Sequence, residues 1–167
     1  MAEPHPVEQS DAQLLAECTV QRLRRSGPGG QHRNKVETAV RICHLPTGLT
    51  AEASERRSQA ANGRRALSRL RLRLALGVRR PDGDLPSQRW KRRLQGRRIC
   101  VSRKHGDFSA LLAEALDVLH AVEFDFAAAT SRLSCSTSQL TRFLKMEPQA
   151  LAMVNRERDR RGLRHML

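Results

Sequence analysis

The chain has 167 residues, enough for one ordinary domain or two small ones. Aromatic residues make up only 3%, so the core must be built mainly from Leu, Ala, Val and Ile. A formal net charge of +14 and an isoelectric point near 11.4 call for a polyanionic partner. No apolar run approaches the roughly 18 residues of a membrane helix, which leaves nucleic acid ahead of a membrane surface.

Residues 1–20 carry no Lys or Arg and four acids, residues 21–105 carry 23 basic and 5 acidic side chains, and residues 106–167 carry 8 of each. A mixed surface would not concentrate charge in this way, so the middle segment is the expected contact region.

In chain order, residues 1–10 are polar, hold two prolines and show no periodicity, and are expected to be disordered. "DAQLLAE" predicts a short helix capped by Asp11. "CTVQRLRR" (18–25), "TAVRICHL" (38–45) and "LTAEAS" (49–54) read as strands, the last two joined by a tight turn at "PTG". A helix follows over about 58–76, with Ser58 as cap and Leu67, Leu70 and Leu74 on one face. Its "RLRLRL" run also fits a period-2 strand, but a length of about 19 residues favours the helix. Arg65, Arg69 and Arg73, four apart, form a separate basic stripe.

Residues 79–106 read as a basic linker with a short helix around "SQRWKRRLQ", in which Trp90 either stacks on a base or packs against a neighbouring domain. From Phe108 the pattern changes to amphipathic helices, with Asp107, Asp125, Ser136 or Thr137, and Glu147-Pro148 as starts. The expected fold class is α+β: a disordered stretch 1–10, a basic domain 11–78, the linker 79–106 and a helical module 107–167. Within that module "FAAATSRLSCSTSQLTRFLK" resembles a helix-turn-helix of a DNA-binding regulator, with Thr137, Ser138, Gln139, Thr141 and Arg142 positioned to read base edges, but the zero net charge of this half favours a plain helical bundle.

Cys18, Cys43, Cys100 and Cys135 stand 25, 57 and 35 positions apart, without a CxxC pair. The expectation is reduced thiols, no metal, no cofactor and a cytoplasmic location, the N-terminus having no cationic signal start.

The most informative stretch is "RRSGPGGQHRNK", residues 24–35. Its glycines free the backbone to approach a ligand. Neither GxxxxGK[ST] nor GxGxxG is met, which argues against a mononucleotide cradle. What remains is a loop presenting Gln31 from a cationic base. An amide is a poor general base, but it can orient water, and its backbone N–H can stabilise charge developing on an oxygen. His32 beside it is a weak candidate for acid–base work.

The stretch from Arg24 to about Leu74 resembles the catalytic domain of the class I peptide chain release factor family. The resemblance is carried by Gly29-Gly30-Gln31, His32, Asn34-Lys35, the hairpin Ala39 to Gly48, Arg57-Ser58-Gln59 and the Ala/Arg/Leu helix. It implies a small mixed or antiparallel sheet packed by a helix, and hydrolysis of peptidyl-tRNA in the peptidyl transferase centre. Gly29 and Gly30 would set the backbone, and the Gln31 N–H would stabilise the transition state. Arg24, Arg25, Arg33, Lys35, Arg57, Arg65, Arg69 and Arg73 would lie near RNA phosphates. The implied partners are the large ribosomal subunit and the P-site peptidyl-tRNA, with a methyltransferase acting on Gln31. Length leaves no room for stop-codon-reading domains, so the short codon-independent rescue members are the nearer match. Arg33 replaces the family's usual valine, and the chain closes on a neutral helical module instead of a basic tail.

Overall fold

The computed structural model describes residues 4–24, 37–80 and 85–167. The fold is α+β and divides into two compact units, Pro4–Leu74 and Ala75–Leu167. No helix among the described residues is long and apolar enough to cross a membrane.

The first unit opens with a 3-10 turn, Pro6–Glu8, in the segment expected to be disordered. His5 and Glu8 close a reciprocal cap on it, and Pro6 and Val7 are buried. Arg71 holds the same segment by donating to the carbonyls of Val7 and Gln9, each at 2.8 Å. Composition hid this because the anchoring side chain lies more than sixty positions away.

Helix α1 (Asp11–Ala16) is capped by Ser10, whose hydroxyl accepts from the Gln13 N–H; Asp11 is the first helical residue. Strands β1 (Cys18–Leu23), β2 (Ala39–His44) and β3 (Thr50–Ala53) form an antiparallel sheet in the order β1-β2-β3. The β2–β3 register sets Val40 against Ala53 and Ile42 against Ala51, and all four are buried. The alternate residues Arg41 and Glu52 face each other on the opposite side and pair at 3.0 Å. Gly48 closes the tight turn at φ 69°, where a Cβ is strained. Buried His44 ties the end of β2 to its surroundings, with Nδ1 2.8 Å from Thr47 Oγ1 and Nε2 3.1 Å from Glu17 Oε2.

Helix α2 (Gln59–Gly77) settles the "RLRLRL" ambiguity in favour of the 3.6-residue period. Ala66, Leu67, Leu70 and Leu74 are buried, and the Ser58 hydroxyl accepts from the Ala61 N–H as cap. Val20, which pairs with Ile42 and so shares its face of the sheet, is 52% exposed. The buried face of the sheet is therefore centred on β2 and β3.

In the second unit the stretch read as linker carries helix α3 (Gln88–Arg92) and a ribbon of β4 (Leu94–Gln95) and β5 (Arg98–Ile99). Trp90 on α3 is buried; its indole N–H donates to the Leu133 carbonyl at 2.9 Å and its ring meets Phe143 edge-on at 5.8 Å. Packing, not base stacking, is its role. Helices α4 (Phe108–Ala121), α5 (Phe126–Leu133), α6 (Thr137–Lys145) and α7 (Pro148–Arg160) complete the unit. Nearly all of α4 is buried, including two carboxylates: Glu114 accepts from the Ser87 N–H and hydroxyl at 2.6 Å each, and Asp117 pairs with Arg79 at 3.0 Å.

Asp107 does not cap α4 through its side chain. Its carboxylate instead takes two hydrogen bonds from Arg93, at 2.7 and 3.0 Å, a stronger charged pair than a single backbone N–H offers. The Arg93 hydrogen bond holds this carboxyl below its usual range despite some burial. A depressed carboxylate contributes stability above its unfolded value and loses it as pH falls through the folded one. The denaturation-midpoint difference between wild type and Asp107→Asn should therefore be constant above about pH 5 and close below about pH 4. The single tryptophan reports on this unit. Phe143→Ala, which removes the edge contact to Trp90, should cost about 3–5 kcal/mol in urea unfolding followed by its fluorescence.

Candidate functional site

Two side chains of α2 fix the point at which the chain leaves residues 25–36 and enters β2. Gln59 Nε2 donates to the Glu37 carbonyl at 2.7 Å, and Asn62 Nδ2 donates to the Thr38 carbonyl at 2.7 Å. Asn62 is completely buried; its Nδ2 also donates to the Arg56 carbonyl at 2.9 Å, and its Oδ1 accepts the Arg56 N–H at 2.9 Å. The other end of the segment is fixed by β1, whose last residue Leu23 pairs with Ala39. Just beyond that pair Arg24 Nε lies 3.4 Å from Glu37 Oε1. That exposed ion pair adds little energy, but it joins the two residues that flank segment 25–36.

The expected catalytic residues Gly29, Gly30 and Gln31, with Arg25, Arg33 and Lys35, lie outside the described residues. The other expected cations divide into two groups. Arg24, Arg57 and Arg65 are exposed, and among the described residues neither Arg57 nor Arg65 has a carboxylate partner. Arg69 and Arg73 act within the fold: Arg69 donates to the Glu52 carbonyl at 2.7 Å and pairs with Glu55, and Arg73 donates to the Thr50 carbonyl. Burial pushes the Glu55 carboxyl up, but hydrogen bonds from its own N–H and from Arg69 outweigh that and hold it low. Two of the three arginines in the four-residue row, Arg69 and Arg73, thus clamp α2 to β3. Exposed Arg64, beside Arg65, and Arg22 on β1 are cations that the spacing argument missed.

The helix-turn-helix expectation meets a helix, a left-handed Ser134 at φ 53°, and a second helix capped by Ser136. Two of its five candidate readers are used internally. Gln139 Oε1 accepts the Ile99 N–H at 3.3 Å, and the buried Thr141 hydroxyl donates to the Thr137 carbonyl at 2.8 Å. Thr137, Ser138 and Arg142 are exposed.

The family model described as the RF-1 domain matches residues 13–105, more than half of the chain. The chain belongs to the RF-1 domain family. Peptide chain release factor 1 of Verminephrobacter eiseniae is 49% identical over 74 residues, 44% of this chain and 20% of that protein. The proteins of the same name from Leptothrix cholodnii and Paracidovorax citrulli are 53% identical over 64 residues and 46% over 72. They are covered to 18% and 20% of their own length, so the chain spans about a fifth of the curated relatives it matches. The matched RF-1 span runs from within α1 through the β4–β5 ribbon; α4 to α7 lie beyond it.

Within the RF-1 domain, Asn62 is the residue whose removal should be felt most. Asn62→Ala leaves the carbonyls of Thr38 and Arg56 and the Arg56 N–H without their partner and should cost about 1–3 kcal/mol. Amide hydrogen exchange at Ala39 and Val40 should rise in the same variant, whereas Gln59→Ala, at a more exposed anchor, should have the smaller effect on both measurements.

Proposed function

We propose that this chain promotes hydrolysis of the ester between nascent peptide and tRNA on the ribosome, without reading a codon. The reading rests on family membership and on the release-factor relatives. The observation that carries it is the double anchorage of Glu37 and Thr38 by Gln59 and Asn62, which suits a loop that must present its tip at a defined distance from the sheet. In this mechanism Gly29 and Gly30 let the backbone turn the Gln31 N–H toward the ester. That N–H stabilises the oxygen on which negative charge develops, and the side-chain amide orients water and excludes other nucleophiles. The site is completed by RNA, so the chain needs no titrating base. Arg24, Arg57 and Arg65 are the cations best placed to meet phosphates of ribosomal RNA or tRNA, and Arg25, Arg33 and Lys35 complete the set within the loop. Gln31 is also the position at which a methyltransferase would act.

The test is release of labelled peptide from ribosomes stalled with peptidyl-tRNA, with and without mRNA extending past the A site. Wild type should release in the absence of a stop codon. Gly30→Ala should lose most of that activity, about 100-fold or more, because it restricts the backbone that aims the N–H; Gln31→Ala, which keeps the N–H, should lose less, and ribosome binding should persist in both. Tight binding with no release by wild type would refute the enzyme reading. Release only at stop codons would refute its codon independence.

A further inference from the structure

Beyond α2, the second unit contains a cleft whose lining includes none of the residues proposed to act in peptide release. It has a volume of about 210 Å³ and is lined by Arg98, Ile99, Cys100 and Val101 on one side, and by Gln139, Arg142, Phe143 and Met146 of α6 and its C-terminal end on the other. Its walls are fixed. Gln139 Oε1 accepts the Ile99 N–H, Arg97 donates to the Cys135 carbonyl at 2.9 Å, and Phe143 is held edge-on by Trp90 and Phe108.

The lining has an apolar floor from Met146 and the edge of Ile99, with Phe143 fully buried behind them, two guanidiniums and no carboxylate. Arg98 and Arg142 are exposed, and neither has an ion-pair partner among the described residues. The surrounding sequence has the same sign: residues 85–106 hold eight Lys and Arg and no Asp or Glu, and Lys145 is exposed at the end of α6. The cleft is smaller than the roughly 300–1,000 Å³ of sites that engulf a whole small molecule, so it suits one flat ring of a longer polymer. A base on the apolar floor, flanked by guanidinium planes that also meet its phosphates, fits this combination. A duplex fits less well, because Gln139, the central residue for groove reading, braces β5.

We propose that the cleft between β5 and α6 binds single-stranded RNA, taking one base between Met146 and Ile99 and the flanking phosphates on Arg98 and Arg142. This contact uses none of the residues proposed for peptide release and stands whether or not the chain releases peptide.

The test uses the full chain and a fluorescent uridine oligomer of about 12 nucleotides, titrated by anisotropy at about 0.1 M salt. Arg98→Ala/Arg142→Ala should weaken binding about tenfold or more and reduce the slope of log affinity against log salt by about 1.4, two single-strand phosphate contacts. The control Arg156→Ala/Arg164→Ala removes the same charge outside the lining and should change affinity less than about twofold. Met146→Ala, which thins the floor without altering charge, should weaken binding with an unchanged salt slope. Equal losses in both double variants would reduce the effect to net charge and overturn the proposal. It would also fall if a duplex of the same length bound more tightly than the single strand, or if an acidic peptide bound the cleft in an Arg98- and Arg142-dependent way while RNA binding ignored both arginines.

Discussion

The carboxamide of Asn62 ties its own helix to the turn just before it, at Arg56, and to the distant entry of β2, at Thr38. It is wholly buried, yet both its donors and its acceptor are engaged, so it escapes the penalty of an unpaired buried amide. Aspartate would keep the acceptor and lose both donors, and glutamine would set the amide one carbon too far. Through this one side chain, α2, the turn before it and the entry to β2 become a single rigid corner. Placement of α2 on the sheet follows, since Arg69 and Arg73 then reach the β3 carbonyls two and three turns further along.

Much of the first unit was legible because its signals are local. Period-2 alternation with β-branched residues marked β2 and β3, a Pro-Thr-Gly turn joined them, and leucines three and four apart marked α2. The boundaries moved by one or two residues, as fraying helix and strand ends do. What stayed hidden was long-range. Asn62 sits in an Ala- and Arg-rich helix, where nothing distinguishes it from solvent-facing filler. Asp107 stands where a cap should be, but Arg93, fourteen positions earlier, offers it a better partner. The order around Pro6–Glu8 depends on Arg71, and the burial of Trp90 on Leu133 and Phe143. The glycine-glycine-glutamine signal itself was plain in sequence, because that motif is contiguous.

The second unit solves a different problem. With so few aromatics, it concentrates Trp90, Phe108 and Phe143 in one edge-to-face cluster and surrounds α4 on nearly every side. A helix so enclosed leaves little room for polar residues, yet Glu114 and Asp117 lie on it. Each receives donors from the segment between α2 and α3, so the buried carboxylates anchor chain that composition alone would leave loose. This explains why a stretch rich in arginine and proline is part of a folded body.

Some of the arginines donate to carbonyl oxygens and have no carboxylate partner among the described residues: Arg73, Arg97 and Arg158. Such a bond fixes the guanidinium but does not neutralise it, because a carbonyl carries no net charge to cancel. These side chains therefore keep contributing to the far field while unable to swing toward a phosphate. The consequence is kinetic. A polyanion is drawn in by the whole charge distribution, but it is retained only by the few cations free to touch it. Encounter rate and residence time are thereby governed by different sets of arginines in the same molecule.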